Sequence, residues 1–419
     1  VLRSTVGATV GIVNRLSVVD EMFLHRHKGT GLPSVMQGLW RTDETVDATL
    51  LLSLHDVLSE GPLGRRVVRP RVPGARPRFE PNTHVHPLRY PATPIPDDEL
   101  LAWADEHANV DVDPELGPGW AVAATRLTSG GTALSIVCSH VLTDARGFVR
   151  AVADALADRP RRPDPGRRSD LRDAMQLFRK VGSGLRRVKY TPRTEKPPAP
   201  QTVHSRPRTA LVDVDAAQWK AVAAAEDGSP NALLVAVSAG VARRARIPFP
   251  VRISVPVDDR KEGTVSNGVS MVGITVDDGD TLASIRARAA HAYSQPREGA
   301  PHNMPAEILQ LLPDRIAARV ARGAGERDLL CSNIGAVPRE LTTLGPYRTT
   351  GIAMRAMHPG LDTRPARTTT RLSVYACHTD ERYTLAFVAL DEERFPDTAT
   401  LHTYVRAELA GRGLEPHFW

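Results

Sequence analysis

The sequence predicts a mixed α/β (α+β) protein built from two lobes. Three observations carry this. The chain has 419 residues, too many for one ordinary core. Strand-like alternation and helix-like periodicity follow one another irregularly in both halves, which points to mixed layers. An Arg- and Pro-rich stretch from Asp158 to Pro207 divides the chain near its middle. The reading therefore assigns one lobe to residues 1–158, a crossover linker to 159–207 and a second lobe to 208–419.

In the first lobe, Ala121 to Leu127 reads as a strand, Ser129-Gly130-Gly131 as a hairpin turn and Thr132 to Ser139 as the returning strand. Gly147 to Ala157 is predicted helical, with Phe148, Val149, Val152, Ala153 and Leu156 as its apolar face. In the linker, Ser169 is placed to cap a short helix. Its predicted apolar face is Leu171, Ala174, Met175, Phe178 and Val181, with Arg172, Arg179 and Lys180 elsewhere. A basic helix of this kind is ordinarily a solvated face. It also suits an anionic membrane surface, a carrier protein or CoA phosphates. In the second lobe, Pro230 and Asn231 open a helix to Ala245. Arg252 to Val257 and Val269 to Val276 are strands, and Thr281 to Ala292 is a helix. Leu329 to Ile334 and Arg371 to His378 are strands, with Tyr383 to Leu390 as a hairpin return.

Composition narrows the function classes. With 41% hydrophobic and 24% charged residues the chain is globular rather than disordered. A net charge of +6 is modest, and no aromatic-interleaved basic motif accompanies it, so no nucleic-acid partner is expected. Cys138, Cys331 and Cys377 lie in apolar runs without zinc spacing, as reduced thiols would. His84 and His86 share a face in an extended segment, but no third ligand offers itself and no metal is expected. His25 and His27 read as surface or tunnel-mouth residues, and Gly323-Ala324-Gly325 as a loop. No run of about 18 apolar residues is present. Leu2 to Val13 lacks a basic region and a cleavage pattern. The expectation is a cytoplasmic enzyme without a bound cofactor, with at most peripheral contact at the inner membrane face.

The segment richest in chemistry is Cys138-Ser139-His140-Val141-Leu142-Thr143-Asp144-Ala145-Arg146-Gly147. A strand ends at Ser139 and a helix begins near Gly147, so His140 sits on a turn held by rigid elements. Imidazole titrates near neutrality and suits removal of a proton from an attacking hydroxyl or amine. Asp144 can fold back across the turn. By itself a His-x-x-x-Asp spacing is common, and a lone strand-end histidine is usually structural. Ser139 and Cys138 are poor nucleophile candidates, because strand neighbours face opposite ways and no Gly-x-Ser-x-Gly elbow is present.

This segment resembles the His-His-x-x-x-Asp-Gly motif of the CoA-dependent acyltransferases, a superfamily that includes condensation domains and the wax ester synthase/diacylglycerol acyltransferases. Further stretches resemble the wax ester synthase branch in order along the chain. Leu16-Ser17-Val18-Val19-Asp20-Glu21-Met22-Phe23-Leu24 is similar to its N-terminal Leu-Ser-x-x-Asp-x-x-Phe-Leu. Asn231 to Arg244 is similar to its Asn-Asp helix. Val255-Pro256-Val257-Asp258-Asp259-Arg260 with Asn267 is similar to its Val-Pro-Val-x-x-Arg and Gly-Asn elements. Ser332-Asn333 and Ser373-Val374-Tyr375 are similar to its later Ser-Asn and Ser-Tyr elements.

The resemblance implies two chloramphenicol-acetyltransferase-like lobes forming a pseudo-dimer with a central tunnel. It implies His140 as general base, with Asp144 paired to Arg260 and Ser139 supporting the loop. Asn333, Ser332 and Asn267 become candidates for an oxyanion donor or tunnel lining. The substrates implied are an acyl-CoA or acyl-carrier thioester donor and an alcohol acceptor. An amide-forming condensation enzyme with an amine acceptor and a carrier protein is an alternative, as is an inactive binding module of the same fold. The chain departs from the family where Ser139 replaces the first motif His, Ala145 the motif Gly and Ala232 the Asp of Asn-Asp. Ala145 would be strained if that position required a positive φ.

Overall fold

A computed structural model describes residues 15–159, 169–186, 199–260, 267–295, 305–320 and 325–419. The readings of Leu2 to Val13, of Gly323-Ala324 and of much of the 159–207 linker lie outside the described residues. Through the first half the elements are α1 (Val18–His25), β1 (Val35–Thr42), α2 (Ala48–Glu60), β2 (Arg65–Val68), β3 (Arg78–Pro81), α3 (Leu100–Ala108), β4 (Trp120–Arg126), β5 (Thr132–Ser139), α4 (Ala145–Leu156) and α5 (Asp170–Leu185). The second half continues with β6 (Gln201–Val203), β7 (Arg208–Asp215), α6 (Ala216–Ala225), α7 (Pro230–Arg244), β8 (Val251–Asp258), β9 (Val269–Val276), α8 (Leu282–Ser294), α9 (Asp314–Val320), β10 (Leu329–Ala336), β11 (Thr343–Leu344), β12 (Tyr347–Met357), β13 (Ala366–Thr368), β14 (Leu372–His378), β15 (Arg382–Ala389), α10 (Thr398–Gly411) and β16 (His417–Phe418).

Two main sheets organise these elements. One has the order β11-β12-β1-β5-β4 and the other β16-β7-β15-β14-β10-β8-β9. The assignment of all of 208–419 to the second lobe therefore needs correction, because β11 and β12 belong to the first sheet. The reason lies in β1. Seven of its eight residues are buried, so both of its edges need hydrogen-bond partners. β5 covers one edge in antiparallel register, Val35 opposite Ser139, and β12 covers the other, Val35 opposite Met357. The lobes also share an interior. The first core joins Trp40, Trp120, Ile136 and Phe148 to Tyr375, Cys377 and Val388 of the second sheet.

Local chemistry explains the elements that frame the site. β5 is buried along its whole length, as a central strand should be. The β4–β5 turn uses Gly130 at φ +101. Gly38 on β1 leaves room for α4, since a Cβ there would meet the Phe148 ring at 2.7 Å. α4 begins at Ala145, two residues earlier than the periodicity suggests, because Asp144 acts as its N-cap and accepts from the Gly147 N–H. Ala145 is thus the first helical residue and is not among the positive-φ positions, which removes the expected strain. α7 is buried continuously from Ala232 to Ala242, so it is the central helix of the second lobe. Ala232 is 1% exposed and lies within that apolar packing, where an Asp would be costly.

The linker helix requires a second correction. Ser169 caps α5 as predicted, but the buried face is Asp173, Ala174, Leu177 and Val181. Leu171, Met175 and Phe178 are exposed. The phase is set by charge: Asp170 pairs with Arg15 at 2.5 Å and Asp173 with Arg76 at 2.7 Å, which turns that side of the helix inward.

Phe148→Ala should cost about 3–5 kcal/mol of unfolding free energy in a urea titration, because the ring is fully buried between α4 and β1. Leu171→Ser should change it by less than about 0.5 kcal/mol, as befits an exposed position.

Candidate active site

His140 is the first residue beyond β5, at the seam where the ends of the first sheet meet the β8–β9 hairpin. Its backbone N–H donates to the Ser34 carbonyl at 3.2 Å, which fixes the turn against β1. Its ring stacks on Phe23 of α1, with centroids 3.6 Å apart and an 11° interplanar angle. Part of the residue stays accessible, while Nδ1 is enclosed and has no hydrogen-bond partner by geometry. Burial pulls the imidazole pKa down to about 4. Its own carbonyl, Asp144 and Asn267 act weakly against that shift, and the Arg26 charge adds to it. The ring is therefore neutral at physiological pH, in the form that can accept a proton.

The loop after His140 is held from both lobes. Asp144 Oδ1 accepts from Gly147 N at 2.9 Å and from the Arg260 Nη2 guanidinium, and Asp144 Oδ2 accepts from Gly268 N at 2.9 Å. Asp144 and Arg260 are both nearly excluded from water, with side chains 11% and 8% exposed. Gly268 makes room for a close approach, since a Cβ there would lie 3.1 Å from the Arg260 Cα and press on it. Ser139 is buried and its Oγ accepts from Val141 N at 3.3 Å, which bends the chain out of the strand.

Asn267 ties three elements together. Its Nδ2 donates to Asp20 Oδ1 at 2.7 Å and to the His140 carbonyl at 2.9 Å, and its Oδ1 is enclosed without a partner. Asp20 is fully buried. Besides Asn267 it accepts from the Ser17 N–H at 2.7 Å, in a capping box that opens α1. Burial pushes the Asp20 carboxyl above its usual range, opposed by these hydrogen bonds and by Arg65. Arg65 itself, buried against Phe79, donates to the Leu142 carbonyl at 3.0 Å, and burial lowers its pKa to about 10.

The remaining candidates fall elsewhere. Asn333 Oδ1 accepts from Gly335 N at 2.9 Å, and its Nδ2 faces Asn231 Oδ1 at 3.3 Å. Ser332 pairs with Tyr375 in the β10–β14 register. Among the described residues, the side-chain hydrogen bonds of Asn333 go to Gly335 and Asn231 and not to His140. His25 is buried rather than at the surface, with Nε2 3.5 Å from Asp314, and His27 lies 3.9 Å from Asp113. His86 Nε2 is bonded to the Asp111 carbonyl, and no metal-holding group of His, Cys, Asp or Glu occurs among the described residues. The three thiols are buried and unpaired. Burial pushes Cys331 and Cys377 up to about 12 and Cys138 higher still, so none is poised as a nucleophile. No helix among the described residues is long and apolar enough to cross a membrane.

Three participants were missed in the sequence: Asp20, Phe23 and His358. Asp20 and Phe23 stand three apart on α1 and therefore share a face, a signal present in the Leu-Ser-x-x-Asp-x-x-Phe-Leu pattern. His358 follows β12 and has no local signal.

No family profile and no curated protein matches the chain. Solved structures do. The wax ester synthase/diacylglycerol acyltransferase from Marinobacter aquaeolei VT8 superposes with a TM-score of 0.59 at 17% identity, over 96% of this chain and 98% of that one. The first condensation domain of the CDA synthetase gives 0.58 at 16% identity, over 94% and 95%. Polyketide synthase associated protein 5 from Mycobacterium tuberculosis gives 0.55 at 12% identity, over 95% and 98%. The chain thus has the two-lobed, condensation-domain-like acyltransferase fold. The likeness runs along nearly its whole length.

Asp144→Asn should be destabilising by about 3–5 kcal/mol in chemical denaturation, since it strands the buried Arg260 charge. An Asp144→Asn/Arg260→Met double variant should recover part of that loss. His107, His140 and His358 all have pKa values lowered to about 4 by burial. Between pH 6.5 and 4 the unfolded chain therefore binds more protons than the folded one. These histidines should make stability fall as pH drops through that window and level off below it. His140→Ala should reduce proton uptake on unfolding at pH 5.5 by roughly one, measured by calorimetry in buffers of different ionisation enthalpy.

Proposed function

We propose that the protein transfers an acyl group from a thioester, carried by CoA or by a carrier protein, to an alcohol. The observation that carries this reading is a neutral histidine at the lobe seam, with its inner nitrogen enclosed and its loop latched to the second lobe through Asp144 and Arg260. Nδ1 is enclosed, so in this reading Nε2 is the nitrogen that meets the reactant.

In this scheme the acceptor hydroxyl gives its proton to His140 Nε2 as its oxygen bonds to the thioester carbonyl carbon. The carbonyl electrons move onto oxygen. Collapse of this intermediate breaks the C–S bond, and the imidazolium returns the proton to the departing thiolate. The products are an ester and a free thiol. Asp144 and Arg260 keep the base in place and join the lobes. A dry seam would suppress hydrolysis of the thioester. Arg26 lies over the Phe23 ring, 5.7 Å from its centroid, on which His140 stacks. Arg26 is itself paired with Glu326 at 3.1 Å, so its charge does not choose between acceptors, and the alcohol reading is supported by the likeness to the wax ester synthase. The condensation-domain neighbours support an amine acceptor and a carrier-protein donor as the second reading.

The test offers acyl-CoA donors of increasing chain length with primary alcohols and amines, reading thiol release and product mass. His140→Ala should lower turnover about 10²–10⁴-fold with the fold intact. Unchanged turnover would remove the base assignment, and a wild type inactive with every donor would favour a binding module.

A further inference from the structure

β1 is antiparallel to both of its neighbours, with Val35 opposite Ser139 on one side and opposite Met357 on the other. The next residues on those neighbours are His140 and His358. Two imidazoles therefore leave the same end of one sheet at the same level. Their backbones are two strand spacings apart, about 10 Å. Ser34 stands between them. Its carbonyl accepts from His140 N, and its Oγ lies 3.4 Å from His358 Nδ1.

His358 is 7% exposed, and its Nδ1 is 2.7 Å from the Pro33 carbonyl oxygen. A carbonyl oxygen only accepts, so Nδ1 carries the proton and Nε2 presents a lone pair. Nε2 is enclosed and has no partner among the described residues. A buried acceptor takes its hydrogen bond from the protein, from ordered water or from a bound molecule, and here no donor of the described chain reaches it. It is not needed for the chemistry assigned to His140. Strand pairing and the Pro33 bond already anchor the residue.

We propose that His358 Nε2 accepts a hydrogen bond from a second O–H or amide N–H of the acceptor substrate, beyond the hydroxyl that His140 deprotonates. His358 is then a specificity-determining residue, and the acceptor is a polyfunctional alcohol, such as a diol or a hydroxy-amide, rather than a plain alkanol. The inference rests on the acyl-transfer reading of this site. Sites that hydrogen-bond a substrate hydroxyl discriminate strongly against analogues lacking it, because the protein group is then left unpaired.

The experiment compares kcat/KM for 1-octanol with a series of octanediols of different hydroxyl spacing, using one acyl-CoA donor. Wild type should prefer at least one diol by about tenfold or more. His358→Phe keeps the ring's bulk and removes the acceptor, and should bring that ratio close to one, mainly through the acceptor KM. His358→Gln restores an acceptor oxygen and should regain part of the preference. Equal rates for octanol and every diol in the wild type would overturn the proposal, as would a ratio that survives in His358→Phe. If His358→Phe does not fold, the wild-type ratio and the His358→Gln variant decide. Absence of transfer to any acceptor in the wild type would instead bring down the acyl-transfer reading, and this inference with it.

Discussion

The Asp144 carboxylate is the constraint on which the arrangement depends. It caps α4, receives the Gly268 N–H and holds the Arg260 guanidinium, so one side chain joins a helix start, the end of β8 and the approach to β9. The position of His140 follows from it. The ring sits four residues earlier on a turn whose other end cannot move. Asn267, next to Gly268, reaches back to the His140 carbonyl. If this carboxylate were protonated or removed, the seam between the lobes would lose its charge pair and the His140 turn one of its anchors.

Around that latch, the polar groups solve one problem by stages. A half-buried imidazole that is to accept a proton must be neutral and held by groups that are themselves satisfied. Phe23 covers one face of the ring, which lowers its pKa by excluding water. Asp20 and Asn267 form the layer beneath, and the buried Asp20 carboxyl tolerates its place by accepting three hydrogen bonds. The Leu-Ser-x-x-Asp-x-x-Phe-Leu pattern near the N-terminus thus has a physical meaning here: Asp20 engages Asn267 and Phe23 stacks on His140.

Much of this was legible in the sequence where the signal is local. The β4–turn–β5 hairpin, the strand-to-helix turn bearing His140, and α7 follow from alternation, glycine placement and capping residues. The Asp144–Arg260 pairing came from resemblance in motif order, since no spacing rule joins residues 116 apart. What escaped was what depends on distant partners. β12 enters the first sheet because β1 needs a second edge, and nothing near Tyr347 announces it. His358 gains its place only through that pairing. On α5 Ala174 and Val181 are buried as the periodicity suggests, but Leu171, Met175 and Phe178 are exposed because the buried side is fixed by ion pairs to Arg15 and Arg76, which apolar periodicity does not weigh. Ala145 stands where the resembling motif has Gly, and the strain that a positive φ would bring is absent because Ala145 is the first helical residue of α4.

The most direct test is a structure with a non-hydrolysable thioether analogue of acyl-CoA and an alcohol bound together. The account predicts the alcohol oxygen within about 2.6–3.2 Å of His140 Nε2, on the side away from Phe23, with the Asp144–Arg260 contact intact. An alcohol and thioether seated elsewhere, with the His140 ring still closed to both, would contradict it.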